Sequence, residues 1–165
     1  MKRLTLIRHA QADSQLPDQS DWERPLTKRG AMDAADMSRR LKSQRLRPDF
    51  ILCSPALRTR QTADIFAKCF GLFTDKLSFP DDLYLADTKH LLSCVQVADD
   101  AHQHVIVIAH NPGVTEFAQW LAQDRCVDAM PTCAIFTAEF TIKHWRDLVA
   151  ASGTNELLDY PQRIG

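Results

Sequence analysis

The chain has 165 residues, and its 20 basic and 21 acidic side chains leave a formal charge of −1. That balance excludes a nucleic-acid or membrane-surface role driven by bulk charge. Hydrophobic residues make up 45% and charged residues 25%, the proportions of a globular domain that builds its own core, so one domain over 1–165 is expected. With only five glycines, neither GxGxxG nor GxxxxGK[ST] can be written, which removes the glycine-rich nucleotide loops.

No stretch approaches the roughly 18 consecutive apolar residues of a membrane span. The start, MKRLTLIRHA, breaks its apolar run at Arg8, short of the about 7–15 residues that a secretory leader needs. The five cysteines (Cys53, Cys69, Cys94, Cys126, Cys133) are odd in number and contain no CxxC pair, so reduced thiols and a cytoplasmic location are expected.

In chain order, residues 4–7 (LTLI) predict a first strand, and Thr27 predicts the cap of a helix running to about Ser43. Residues 50–53 (FILC) form a second strand, succeeded by a helix over 55–70 with Thr62, Ile65, Phe66 and Cys69 at helical spacing. A weaker strand surrounds 77–79, and a third helix covers 88–98. Residues 105–109 (VIVIA) read as a strand buried on both faces, and 112–122 as a fourth helix. Residues 134–142 alternate apolar and polar, as a strand nearer an edge does, and 143–165 predict a docked tail with one more short element. The alternation specifies an α/β fold: a mostly parallel central sheet with helices on both faces.

The chemistry sits immediately after the three best strands. LTLI runs directly into Arg8 and His9; FILC into Ser54-Pro55, with Arg58 and Arg60 close behind; VIVIA into His110-Asn111-Pro112-Gly113. In open α/β sheets ligands bind outside the carboxyl ends of strands. Ser54-Pro55 and Asn111-Pro112 also predict two helix starts, each with a favoured N-cap residue before proline, and helix N-termini attract anions. Each feature alone has an ordinary structural explanation. Three at three strand ends point to a pocket for a phosphoryl group, with Arg8, Arg58, Ser54 and Asn111 as binding candidates and Arg24 nearby.

Arg8-His9-Ala10 resembles the Arg-His-Gly signature of the histidine phosphatase (phosphoglycerate mutase-like) superfamily, with Ala in place of Gly at position 10. Residues 54–62 (SPALRTRQT) are similar to its S-P-x-x-R-x-x-Q-T segment, and Ala109-His110-Asn111-Pro112 to its second histidine motif. The short length, Arg24-Pro25-Leu26-Thr27 before Gly30, and Leu83-Tyr84 resemble the SixA-like branch, described as protein phosphohistidine phosphatases. The resemblance implies a phosphoglycerate mutase-like fold. It further implies that His9 attacks phosphorus to give a covalent phosphohistidine that water then hydrolyses, with Arg8, Arg58 and His110 holding the phosphoryl oxygens. Like-charge repulsion from Arg8 and Arg58 should keep His9 neutral. No metal or cofactor is required by that scheme.

Many relatives protonate the leaving group with a carboxylate after the third strand. Here that segment reads Asp82-Leu83-Tyr84-Leu85 without a Glu, and Asp81, Asp82 and Asp87 read as cap or surface groups. A missing acid suits imidazole, a far better leaving group than an alkoxide, so phosphohistidine on a carrier protein is the expected substrate. A phosphatase of small phosphate esters is the alternative, and a non-catalytic phosphate-binding module a further one. No insertion is long enough for a large lid; residues 11–23 should border an open entrance, and the reading is compatible with a monomer. Cys53 lacks the five-residue spacing to Arg of a cysteine phosphatase and reads as a strand residue. His102 and His104 alternate on a strand but have no matching third metal ligand.

Overall fold

The computed structural model describes residues 1–123 and 127–162. Six strands form one sheet: β1 (Lys2–Arg8), β2 (Phe50–Cys53), β3 (Leu77–Ser78), β4 (His104–Ala109), β5 (Ile135–Phe140) and β6 (Thr154–Asp159). Their order is β3-β2-β4-β1-β5-β6; the first four run parallel, while β5 and β6 are antiparallel to their neighbours. The helices are α1 (Lys28–Ser43), α2 (Leu57–Phe70), α3 (Thr88–Gln96) and α4 (Gly113–Leu121). The architecture is therefore the mostly parallel, doubly covered α/β sheet that the pattern specifies, and none of these helices is long and apolar enough to cross a membrane.

Alternation along the strands divides the core. Ile7, Ile51, Cys53, Ile106, Ile108 and Ile135 point to the face carrying α1 and α2, where Met37, Leu41, Ala63 and Phe66 meet them. Leu4, Leu6, Val105, Val107, Phe136 and Phe140 point to the other, packed by Leu91, Val95, Phe117 and Leu121 of α3 and α4. Every residue of β4 is buried, as a strand covered on both faces requires. Thr27 and Asp87 cap α1 and α3, their side chains accepting from Gly30 N and His90 N.

Two helix starts differ from expectation. Helix α2 begins at Leu57 behind Ala56, not at Pro55 behind Ser54, because the Ser54 hydroxyl meets the His110 ring at 2.7 Å and lies 3.5 Å from Ala56 N. Helix α4 begins at Gly113 behind Pro112, and the Asn111 side chain bonds Met130 O and Thr115 Oγ1 instead of capping. The tail contributes β6, paired along β5, and a short turn at Trp145–Asp147 that buries Trp145. Two glycines are fixed by close approach: a Cβ on Gly30 would lie 2.1 Å from Gln11 O, and one on Gly113 1.8 Å from Ala86 O. Cys53 and Cys133 are buried and unbridged, while Cys126 lies outside the described residues.

Candidate active site

Strands β2, β4 and β1 are adjacent, so their carboxyl ends deliver the candidate residues to one edge of the sheet. Arg8 pairs in register with Ala109, and Cys53 with Ile108, which puts His9, His110 and Ser54 one step beyond the ladder. Backbone bonds from His9 N to Ala109 O and from Ser54 N to Ile108 O hold that step.

His9 is 8% exposed, and its Nδ1 lies 2.7 Å from Ala10 O. A carbonyl only accepts, so Nδ1 carries the proton and the Nε2 lone pair is left for chemistry. Burial holds the His9 pKa down to about 4, with Arg58, Arg8 and Arg24 adding to the depression. The imidazole is thus neutral near pH 7, chiefly through burial and only secondarily through the charge repulsion expected from sequence.

The His110 ring centroid lies 5.5 Å from that of His9. Arg58 Nη2 is 3.2 Å from His110 Nδ1; a guanidinium only donates, so Nδ1 accepts and Nε2–H faces Ser54 Oγ at 2.7 Å. Burial, then Arg58, depresses the His110 pKa to about 3. The Ser54 hydroxyl can also donate. An arriving phosphoryl oxygen could therefore find the proton on Nδ1, with Ser54 donating to Nε2. Ser54 itself is fully buried, with its hydroxyl against the His110 ring.

Arg58 is 3% exposed in the first turn of α2; its guanidinium also donates to Asp21 O at 2.8 Å and to Asp21 Oδ2 at 2.9 Å. Arg8 donates to Met130 O at 3.1 Å, and burial lowers its pKa. The Nε atoms of both arginines are buried without a partner, donors in surplus around the pocket. Asn111 Nδ2 also donates to Met130 O, so Asn111 serves to anchor the segment that steadies Arg8. Arg24 donates to Asp21 Oδ1 at 2.9 Å and to Asp13 O at 2.7 Å. Thr62 Oγ1 donates to Arg58 O and accepts from Ala10 N, and Gln61 Oε1 accepts from Leu26 N, so the Gln61-Thr62 pair ties α2 to the chain leaving β1.

The family model described as "Histidine phosphatase superfamily (branch 1)" matches residues 4–78. Phosphohistidine phosphatase SixA of Escherichia coli (strain K12) is 30% identical over 131 residues, covering 79% of this chain and 80% of that protein. The chain belongs to the histidine phosphatase superfamily. Among solved structures of this superfamily, SixA from Nakamurella multipartitia superposes with a TM-score of 0.79 at 25% identity, over 98% of this chain and 97% of its own. SixA from Agrobacterium tumefaciens gives 0.75 at 28% identity, over 84% and 90%. These likenesses put the chain in the SixA-like branch of the superfamily.

Three side chains at the mouth that are not among the candidate binding or catalytic residues join the site. Asp21, on a short turn in the entrance loop, accepts from Arg58, Arg24 and Tyr84 together. Burial opposes its ionisation, but hydrogen bonds from Tyr84, Arg24 and Arg58 prevail and hold its carboxyl well below the usual carboxylate range. Burial and Asp21 raise the Tyr84 pKa, and its ring stands edge-on to His110 at 5.5 Å, with Trp22 4.7 Å beyond. The one sequence signal for Asp21 and Trp22 is that residues 11–23 border the entrance. Ala10 is fully buried at the strand exit, so its methyl is accommodated where the superfamily signature has Gly. The Cys53 thiol is buried and pushed up by burial, the opposite of an activated nucleophile. His102 stacks on Phe50 and His104 bonds Thr5 Oγ1 at 2.7 Å.

Proposed function

We propose that the protein hydrolyses phosphohistidine on proteins through a covalent phosphohistidine on His9. The observation that carries this reading is the fixed His9 tautomer: Nδ1–H is committed to Ala10 O, which leaves Nε2 unprotonated on a ring that lies 5.5 Å from His110 and feels the charges of Arg58 and Arg8. The Nε2 lone pair forms a bond to phosphorus as the substrate's P–N bond breaks. Water then attacks the phosphoenzyme and regenerates His9. Arg8, Arg58 and His110 hold the equatorial oxygens, and donors prearranged in this way typically contribute about 10²–10³ each in rate. The guanidinium groups supply the positive charge that the transition state needs, and the scheme runs without a metal.

The preference for a P–N bond rests on the proton inventory. Asp21 is ionised and the Tyr84 hydroxyl is committed to it at 2.5 Å, so neither is poised to protonate an alkoxide. Imidazole departs without such help. The 30% identical E. coli protein is named a phosphohistidine phosphatase, in line with this chemistry. The partner is then a phosphorylated carrier protein, and a cytoplasmic location goes with such a substrate.

The test is phosphate release, without added metal, from a phosphohistidine-bearing protein and from a phosphoserine peptide, using wild type and His9→Ala. Release from the first alone, abolished in the variant, is expected. Equal release from both would make the enzyme a broader ester phosphatase. A wild type that binds phosphate but turns over neither would make it a binding module.

A further inference from the structure

The reaction on His9 leaves Asp21, Trp22 and Tyr84 without a task, yet all three stand beside the phosphoryl pocket. Aromatic rings run outward from the nucleophile: His9 to His110 at 5.5 Å, His110 to Tyr84 at 5.5 Å and 84°, Tyr84 to Trp22 at 4.7 Å. Trp22 ends this series at the surface, 39% exposed. Its chain neighbour Asp21 places an ionised carboxylate next to Arg58, bonded through Oδ2 to Arg58 and Tyr84 and through Oδ1 to Arg24. One short turn, Asp21–Glu23, thus carries both an indole packed on Tyr84 and a negative charge bonded to Arg58.

A carboxylate beside a phosphoryl dianion is a liability by itself, since like charges repel. It becomes an asset for a ligand that carries a positive, flat ring along with the phosphoryl group. An N-phosphorylated imidazole protonated on its other nitrogen has that character: its N–H⁺ suits a carboxylate, and its face suits an aromatic shelf. We propose that Asp21, Trp22 and Tyr84 form a leaving-group subsite for a protonated imidazole ring, which selects N-phosphorylated heteroaromatic substrates over alkyl phosphates. This inference deepens the phosphohistidine reading and rests on it.

The step balances without an added acid. His9 Nε2 supplies the electron pair for the new N–P bond. The pair of the breaking P–N bond stays on the departing ring nitrogen, and the proton already on the other nitrogen leaves with the ring as neutral imidazole. Asp21 accepts a hydrogen bond from that N–H throughout and takes no proton. An alkyl phosphate offers neither the positive ring nor a leaving group that can depart unprotonated, and it would meet Asp21 only as a repelling charge.

The experiment measures kcat/KM for free phosphohistidine beside the inhibition constant of inorganic phosphate, in wild type, Trp22→Ala, Trp22→Phe and Asp21→Asn. Trp22→Ala should lower kcat/KM by ~10-fold with the phosphate constant within about twofold, and Trp22→Phe should restore most of the loss. Asp21→Asn should move the two readouts in opposite directions: weaker turnover of phosphohistidine and tighter binding of phosphate. Parallel weakening of both in Asp21→Asn would show that Asp21 merely braces Arg58, and would overturn the subsite, as would unchanged turnover in Trp22→Ala. Wild type inert toward both free phosphohistidine and a phosphohistidine-bearing protein would instead overturn the underlying reading, a failure visible before any variant is compared.

Discussion

Strand β4 carries a buried histidine at its start and runs into another just past its end, and the two have opposite surroundings. His104, 4% exposed, gives Nε2 to Thr5 Oγ1, which in turn bonds Thr137 Oγ1 across the sheet. His110, 2% exposed, lies between Ser54 and Arg58 and faces a second imidazole. Both are depressed to about 3, mainly by burial. A depressed histidine pKa therefore does not identify a catalytic group. What separates the two ends is the company: at the carboxyl end two histidines, two arginines and an aromatic mouth converge, while at the amino end Arg3 pairs with Glu139.

The two ends should differ most sharply at the arginines. Arg58→Ala and Arg8→Ala should each lower turnover by about 10²–10³, whereas Arg3→Ala should leave it near wild type, as steady-state rates on a phosphohistidine-bearing protein would record. Ser54→Ala should cost ~10–100-fold in kcat with an intact fold by circular dichroism, because His110 loses the group that fixes its ring. An equal loss at Ser54 and at Thr5 would erase the distinction between the two ends.

Acid sharpens the contrast further. With His9 at about 4, kcat/KM should stay level well below pH 6.5, and its acid limb should appear near pH 4. Stability should behave differently. His9, His104 and His110 are neutral in the folded state at pH values where the unfolded chain, near 6.5, already binds protons. Their contribution is fully present above about pH 6.5 and falls toward their folded values, by on the order of 1.4 kcal/mol per pH unit for each. Asp21, depressed as an acid, loses its contribution in the same direction at still lower pH. His104→Gln should therefore flatten the melting-temperature profile between pH 6.5 and 4. It should change turnover at pH 7 by less than about twofold, the smallest effect expected, since it lies at the far end of the strand.

Much of this organisation is legible in the sequence because it is local. A β-branched run such as VIVIA identifies a central strand, and the residues immediately after a strand must emerge at its carboxyl edge. Arg8, His9, Arg58 and His110 can therefore be grouped without knowing any distance between them. Helix starts are less legible: Ser54 and Asn111 have the chemistry of N-caps, but their side chains bond His110 and Met130, partners 56 and 19 residues away. Asp21 is legible only as part of the loop bordering the entrance, for the same reason: its contacts with Arg58 and Tyr84 span 37 and 63 residues. The edge strand β6 gives little signal, since TNELLD neither alternates nor concentrates β-branched residues.

The most direct test of covalent catalysis by His9 is to mix the enzyme with a phosphohistidine-bearing protein, quench into alkali, which preserves phosphohistidine, and map the phosphate by mass spectrometry. One phosphoryl group is expected on the peptide containing His9, absent in His9→Ala. Normal turnover with no label on that peptide, or label on His110 instead, would contradict the role given to His9.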